Sequence, residues 1–121
     1  MATPAVATSI NGFYAVYMTG AKDQGFAILV LRDGVAVGID LGGVKFDGTY
    51  AQVEGGFDLR LRIEIPPNSD LIQGVRTGAE TVVSDFRFTL PANFLAQPFM
   101  RIEAPHGPLN ARITKMRDLN D

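Results

Sequence analysis

Histidine is the side chain whose unperturbed ionisation lies nearest neutrality, and this 121-residue chain holds one, His106, in the run Pro105-His106-Gly107-Pro108. A metal centre or a Ser-His-acid triad needs several partners converging on one point. No second ligand or paired nucleophile stands near His106, so it reads as a residue of a surface turn. Asp40 and Asp47 come next, since two carboxylates brought close could share a proton or hold a cation. Asp40 belongs to Gly38-Ile39-Asp40-Leu41-Gly42-Gly43, and the stronger expectation is that it braces the glycine turn by accepting hydrogen bonds from backbone N–H groups. That run lacks the Lys-Ser/Thr of a phosphate-binding loop and no helix follows it, which argues against nucleotide binding. The absence of cysteine excludes disulfides, thiolate catalysis and cysteine-bound metal. The expectation is a protein that is not an enzyme and carries no cofactor.

The element that declares its geometry most clearly is the stretch 56–66, GFDLRLRIEIP. Phe57, Leu59, Leu61, Ile63 and Ile65 share one parity; Asp58, Arg60, Arg62 and Glu64 share the other. Side chains of an extended chain alternate between faces, so this is a strand with one dry and one wet face. A slip of one residue would bury four charges at a cost of at least several kcal/mol, which fixes the register. One polar and one apolar face also mean an antiparallel sheet.

The other segments fall into the same pattern. Residues 12–20 and 25–32 read as strands apolar on both parities. Asp33-Gly34 predicts a type I′ hairpin turn, leading into a third strand with Val35, Val37, Ile39 and Leu41 on one face and Ala36, Gly38 and Asp40 on the other. A fourth strand follows from Val44, with Gly48 suggesting a bulge or bend. After the 56–66 strand, residues 66–80 form the one long segment without strand periodicity; a single helical turn around 70–73 is expected there. Strands at 81–90, 98–104 and 109–117 complete the chain, with a helical turn burying Phe94 and Leu95 before the seventh. Asp85 and Arg87 read as partners on the wet face of the sixth strand. Eight strands joined mainly by short turns bury their apolar faces best by closing. The predicted fold is all-β: an eight-stranded, up-and-down antiparallel β-barrel over 11–117, with a two-sheet sandwich as the alternative. Residues 1–10 and 118–121 read as tails.

The formal net charge of -2 gives no basic field for phosphates, so no direct nucleic-acid binding is expected. No stretch approaches the roughly 20 apolar residues of a membrane span, and the first residues have no secretion-signal pattern. The expected location is cytoplasmic, with no membrane association.

Asn11-Gly12-Phe13-Tyr14, the GFAILVL strand, Asp33-Gly34, Gly38-Ile39-Asp40 and Asp47-Gly48-Thr49-Tyr50 together resemble the GrlR-like family of bacterial negative regulators of type III secretion. The similarity covers roughly residues 11–65, and the remainder by strand order alone. What it implies is a lipocalin-like eight-stranded barrel that often pairs as a homodimer and acts in transcription regulation by binding a protein partner. The strongly acidic loop of the family's founding member, between strands four and five, corresponds here to Val53-Glu54-Gly55-Gly56, with one acid. A broader similarity, to the aromatic that plugs one end of lipocalin-type barrels, would place Tyr14 there with Arg112 or Arg117 across its ring; a plain core role for Tyr14 is the other reading.

Two apolar surfaces remain as candidate sites. One is the outer face of strands one and two, where Ala27, Leu29 and Leu31 are the candidate homodimer interface. Candidate positions for a protein partner, which the resemblance implies is a transcriptional regulator, are Glu54, Asp58, Ser69, Asp70 and Gln73. The other surface is the barrel interior, with Phe57, Leu59, Leu61, Phe86 and Phe88 among its lining. Their bulk argues that the interior is mostly filled; the alternative function is a carrier of a small hydrophobic ligand held there.

Overall fold

A computed structural model describes residues 9–119. The chain forms eight strands, β1 (Gly12–Thr19), β2 (Gln24–Arg32), β3 (Val35–Asp40), β4 (Lys45–Val53), β5 (Gly56–Ile65), β6 (Val82–Pro91), β7 (Met100–Ala104) and β8 (Gly107–Asp118), with one 3-10 turn, Phe94–Ala96, before β7. They make a single antiparallel sheet in the order β6-β5-β4-β3-β2-β1-β8-β7. The sheet curls into a nearly closed barrel of lipocalin-like, up-and-down order. Closure comes from β1 pairing with β8, Gly12 opposite Asp118 and Thr19 opposite Asn110. Between β6 and β7 no ladder forms; a cleft of about 480 Å3 separates these two edges. No helix among the described residues is long and apolar enough to cross a membrane.

The alternation along β5 is realised as read: Leu59, Leu61, Ile63 and Ile65 are buried and Arg60 and Arg62 are exposed. Its charges pair chiefly across strands. Arg87 reaches Asp58 with both Nε and Nη2 at 3.1 Å, and Arg62 meets Asp85 at 3.6 Å, so Asp85 and Arg87 do not partner each other as expected. Asp33 and Gly34 both hold positive φ, 49° and 86°, as a type I′ turn requires. Gly48 makes no bulge: Ala36, Gly48 and Leu61 stay in register across three strands. Instead the backbone closes in, and a Cβ there would lie 1.8 Å from the Arg60 carbonyl oxygen. The register shift falls at Phe13/Tyr14 against β8.

One end of the barrel is packed solid. Tyr14, Leu31, Leu59, Leu90 and Phe94 are fully buried there, with Phe94 tilted against Tyr14 and edge-on to Phe57 at centroid distances of 6.0 and 5.9 Å. Phe94 is buried, as expected, and plugs this end, while Leu95, expected to be buried with it, is exposed. The Tyr14 hydroxyl donates to the Ile10 carbonyl at 2.5 Å, and burial pushes its pKa up to about 12, with Tyr50 and Asp118 adding. The cation nearest its ring is Lys115, 5.9 Å from the centroid; Arg112 stacks on Tyr17 instead, at 5.0 Å. Asn11 ties the same end together. Its Oδ1 accepts from the Asp33 amide and the Tyr50 hydroxyl, and its Nδ2 donates to Asp33 Oδ1, all at 2.9 Å.

Of the expected N-terminal tail, residues 1–8 lie outside the described residues, and Ile10 belongs to the core. At the other terminus β8 runs through Asp118, longer than read, and residues 120–121 lie outside the described residues. The 66–81 segment holds no helix: Asp70 and Arg76 form an isolated antiparallel bridge, so the turn expected around 70–73 is the tip of a small hairpin loop.

Candidate functional site: a hollow barrel end and an apolar outer face

Register decides which parity of β2 faces inward. Tyr14, Leu29 and Gly38 lie opposite one another across β1, β2 and β3, and Tyr14 is in the core. Ala27, Leu29 and Leu31 therefore point into the barrel, with exposures of 5, 9 and 1%. They are not a surface for a second copy, which corrects the candidate interface. Both parities of β2 are apolar, so burial preference alone could not assign its faces.

The outer parity is the complementary set. Phe13, Ala15 and Tyr17 of β1 stand opposite Val30, Ile28 and Phe26 of β2, and Val30 and Ile28 stand opposite Val37 and Ile39 of β3. The result is a continuous apolar patch three strands wide, in which Val35, Val37 and Ile39 are 49, 39 and 50% exposed. Polar rows border it: Arg112, Thr114 and Arg117 on β8 and Lys45, Asp47 and Thr49 on β4.

Inside, the half of the barrel away from Phe94 is hollow. A cavity of about 600 Å3 is lined by Leu29, Leu59, Leu61, Phe86, Phe88 and Ile113, among other apolar residues. The expectation of a mostly filled interior thus holds only for the plugged end. Gly25, Ala27, Ala104 and Ala111 also line the cavity. These small inward side chains leave the volume that the larger aromatics do not fill, and they are the sequence signal that could have located it.

The mouth is framed by the β1–β2, β3–β4 and β7–β8 turns and crossed by the 66–81 loop. The Ile72 carbonyl accepts from the Lys22 and Asp23 amides at 2.9 and 3.1 Å, and Gln73 Nε2 makes a long 3.5 Å contact to the Gly107 carbonyl. The loop braces itself as well. Ser69 Oγ donates to the Pro66 carbonyl at 2.7 Å, and Arg76 pairs with Asp70 at 2.9 Å, a hydrogen bond that holds the Asp70 carboxyl below its usual range. Asp40, on the inner face, accepts from the Gly42 and Val44 amides at 2.8 and 2.9 Å. Its burial nevertheless raises its pKa against those bonds. Asp47 lies on the outer face of the next strand, so the two carboxylates cannot share a cation.

The candidate partner residues do not form one surface. Ser69, Asp70 and Gln73 gather at the mouth, while Glu54 in the β4–β5 turn and Asp58, third residue of β5, lie toward the plugged end. The Asp58 side chain is only 12% exposed beneath Arg87 and Arg60, and its hydrogen bond to Arg87 holds its pKa down. It is a register device, not a free contact. His106 lines the cavity mouth from the β7–β8 turn, where sequence reasoning placed a surface residue. Among the described residues no group of three or more His, Cys, Asp or Glu side chains could hold a metal ion.

Comparison with protein-family models, curated proteins and solved structures finds no match.

Proposed function

We infer that this protein is a non-enzymatic regulatory binding module, a barrel that pairs with a second copy through the outer face of β1–β3 and acts by engaging a protein partner. The observation that carries the reading is the apolar patch from Phe13 to Ile39, of which only Ala15, 3% exposed, is buried in the monomer. Five residues on each of three strands span a footprint of roughly 250 Å2, and the flanking rows of β4 and β8 bring it to about 400 Å2, from sheet spacing alone. That is about half of the ~800 Å2 per partner of a standard stable interface. A two-fold axis along β2 would set the Arg112–Arg117 row of one copy over the Asp47 row of the other. The resemblance to the GrlR-like regulators of type III secretion supplies the regulatory role, with cytoplasmic action and a regulatory protein as partner.

The test is mass in solution. Wild type is expected to run as a dimer and Val37→Lys as a folded monomer with a similar melting temperature, because the new ammonium stands outside the barrel beside Asp47. A monomeric wild type, or a Val37→Lys dimer, refutes pairing through this face.

A second reading has its own observation. The cavity of about 600 Å3 lies within the size range of small-molecule pockets, and it favours a barrel that holds a small hydrophobic ligand, alone or as the signal for the regulatory role.

A further inference from the structure

The cavity is apolar along its walls, and among the described residues Asp40 is the one charged side chain that a strand contributes to its lining. Alternation puts it inside. Ala36 and Gly38 share its parity on β3, Ala36 is wholly buried, and Asp40 stands opposite the inward Ala27, whose methyl group leaves room beside the carboxylate. Both hydrogen bonds that Asp40 accepts through its side chain, from the Gly42 and Val44 amides, fall on Oδ1. Among the described residues no protein group donates to Oδ2, and water reaches it, since it is not a sealed atom.

An inward, half-buried carboxylate with one oxygen open is the group of this lining with most to gain from a ligand. Burial raises its pKa because the ionised form is poorly solvated there, and a cation brought to Oδ2 supplies part of what water does not. The rest of the mouth agrees in sign. Asp23 and Asp70 also line it, and among the described residues the lining holds no Lys or Arg. Asp70 is already held by Arg76, and Lys115, the cation on the inner face of β8, lies at the plugged end against Tyr14 and Asp118. A carboxylate or phosphate head would therefore meet like charge without a compensating cation.

We propose that the barrel takes a cationic amphiphile, an amine whose apolar chain or ring system lies in the hollow half and whose ammonium pairs with the Asp40 carboxylate at the mouth. This rests on the ligand-holding reading of the cavity given above and adds the head-group class. Asp40 is the specificity-determining contact; the apolar walls supply the affinity that any hydrophobe would share.

Displacement of the fluorescent hydrophobe N-phenyl-1-naphthylamine by decylamine, 1-decanol and decanoate at neutral pH tests it, with wild type and Asp40→Asn. In wild type decylamine is expected to compete about tenfold better than 1-decanol, the worth of one charge-assisted contact, and decanoate to compete worst. Asp40→Asn keeps an acceptor for the Gly42 and Val44 amides. It is expected to bring decylamine down to the level of 1-decanol while the reporter and 1-decanol bind as before, which also shows the variant folded. If the reporter and all three competitors fail to bind wild type, the cavity reading falls and takes this proposal with it. If decylamine does no better than 1-decanol in wild type, or Asp40→Asn leaves its advantage intact or weakens every ligand alike, the head-group assignment is overturned while the cavity reading stands.

Discussion

Removing the hydroxyl of Tyr14 separates two consequences of burying it. The ring is wholly buried and the hydroxyl donates to the Ile10 carbonyl at 2.5 Å. In Tyr14→Phe the packing is kept, but a buried carbonyl loses its donor. At neutral pH that should cost about 1–2 kcal/mol, or about 3–8 °C in melting temperature for a domain of this size. Alkali reverses the ranking. The folded-state pKa of Tyr14 is raised from 10.0 to about 12, so its contribution is complete below pH 10 and is lost as pH rises through the folded value. With that shift the wild type should lose about 1.4 kcal/mol from this group by pH 11 and roughly 2 kcal/mol by pH 12, whereas Tyr14→Phe loses nothing from it. The difference between the two proteins isolates Tyr14 from every other group titrating in that range. Urea unfolding from pH 8 to 11.5 should show wild type the more stable at pH 8 and the two converging near pH 11. A gap that stays constant with pH would refute the claim that the phenol ionises only against the cost of its burial.

Two further outcomes follow from geometry near the turns and the tight crossing. Gly48→Ala should fail to fold or lose well over the ~1–3 kcal/mol of ordinary overpacking, because its Cβ would stand 1.8 Å from a backbone oxygen with no flexible side chain to yield; a far-ultraviolet circular dichroism melt unchanged from wild type would show that β4 and β5 do not cross so closely. Asp40→Asn keeps an acceptor for Gly42 and Val44 but removes a charge that burial disfavours. Since the folded pKa of Asp40 is raised, the wild-type advantage from this group exists in acid and is lost as pH rises, so the denaturation midpoint of Asp40→Asn should gain on wild type from pH 3 to 7; a trend of opposite sign would count against burial as the dominant influence.

The strands were legible where a single face was wet. β5 announces itself through strict alternation, and the β2–β3 hairpin through Asp33-Gly34, because both features are local. The facing of β2 was not legible, since Ala27, Leu29 and Leu31 and their neighbours Phe26, Ile28 and Val30 are all apolar, and only pairing with Tyr14 through the register of β1 decides between them. His106 was read as a surface turn residue because the depth of a turn depends on what crosses it, here Gln73 from a loop more than thirty residues earlier in the chain. Four of the residues that carry the family resemblance have a local reason of their own: Asn11, Asp33, Gly34 and Tyr50 meet at the plugged end through mutual hydrogen bonds. They mark how the barrel is held shut there, whereas Phe13, Ile28, Val30 and Ile39 of the same motifs lie in the outer patch and Asp40 at the cavity mouth.

The unpaired seam between β6 and β7 places the sheet's edges in the middle of the sequence, and the strands at the two ends of the chain in the interior of the sheet. The spatial order is thus a circular permutation of the chain order. Joining β8 to β1 and cutting between β6 and β7 would turn every pairing into one between successive strands. As the chain stands, six of the seven ladders join sequence neighbours, five of them over short turns and β5–β6 over the 66–81 loop, while the β1–β8 ladder must close nearly the whole length at once. The conformational entropy of that single long-range closure is the term on which the folding rate of this barrel turns.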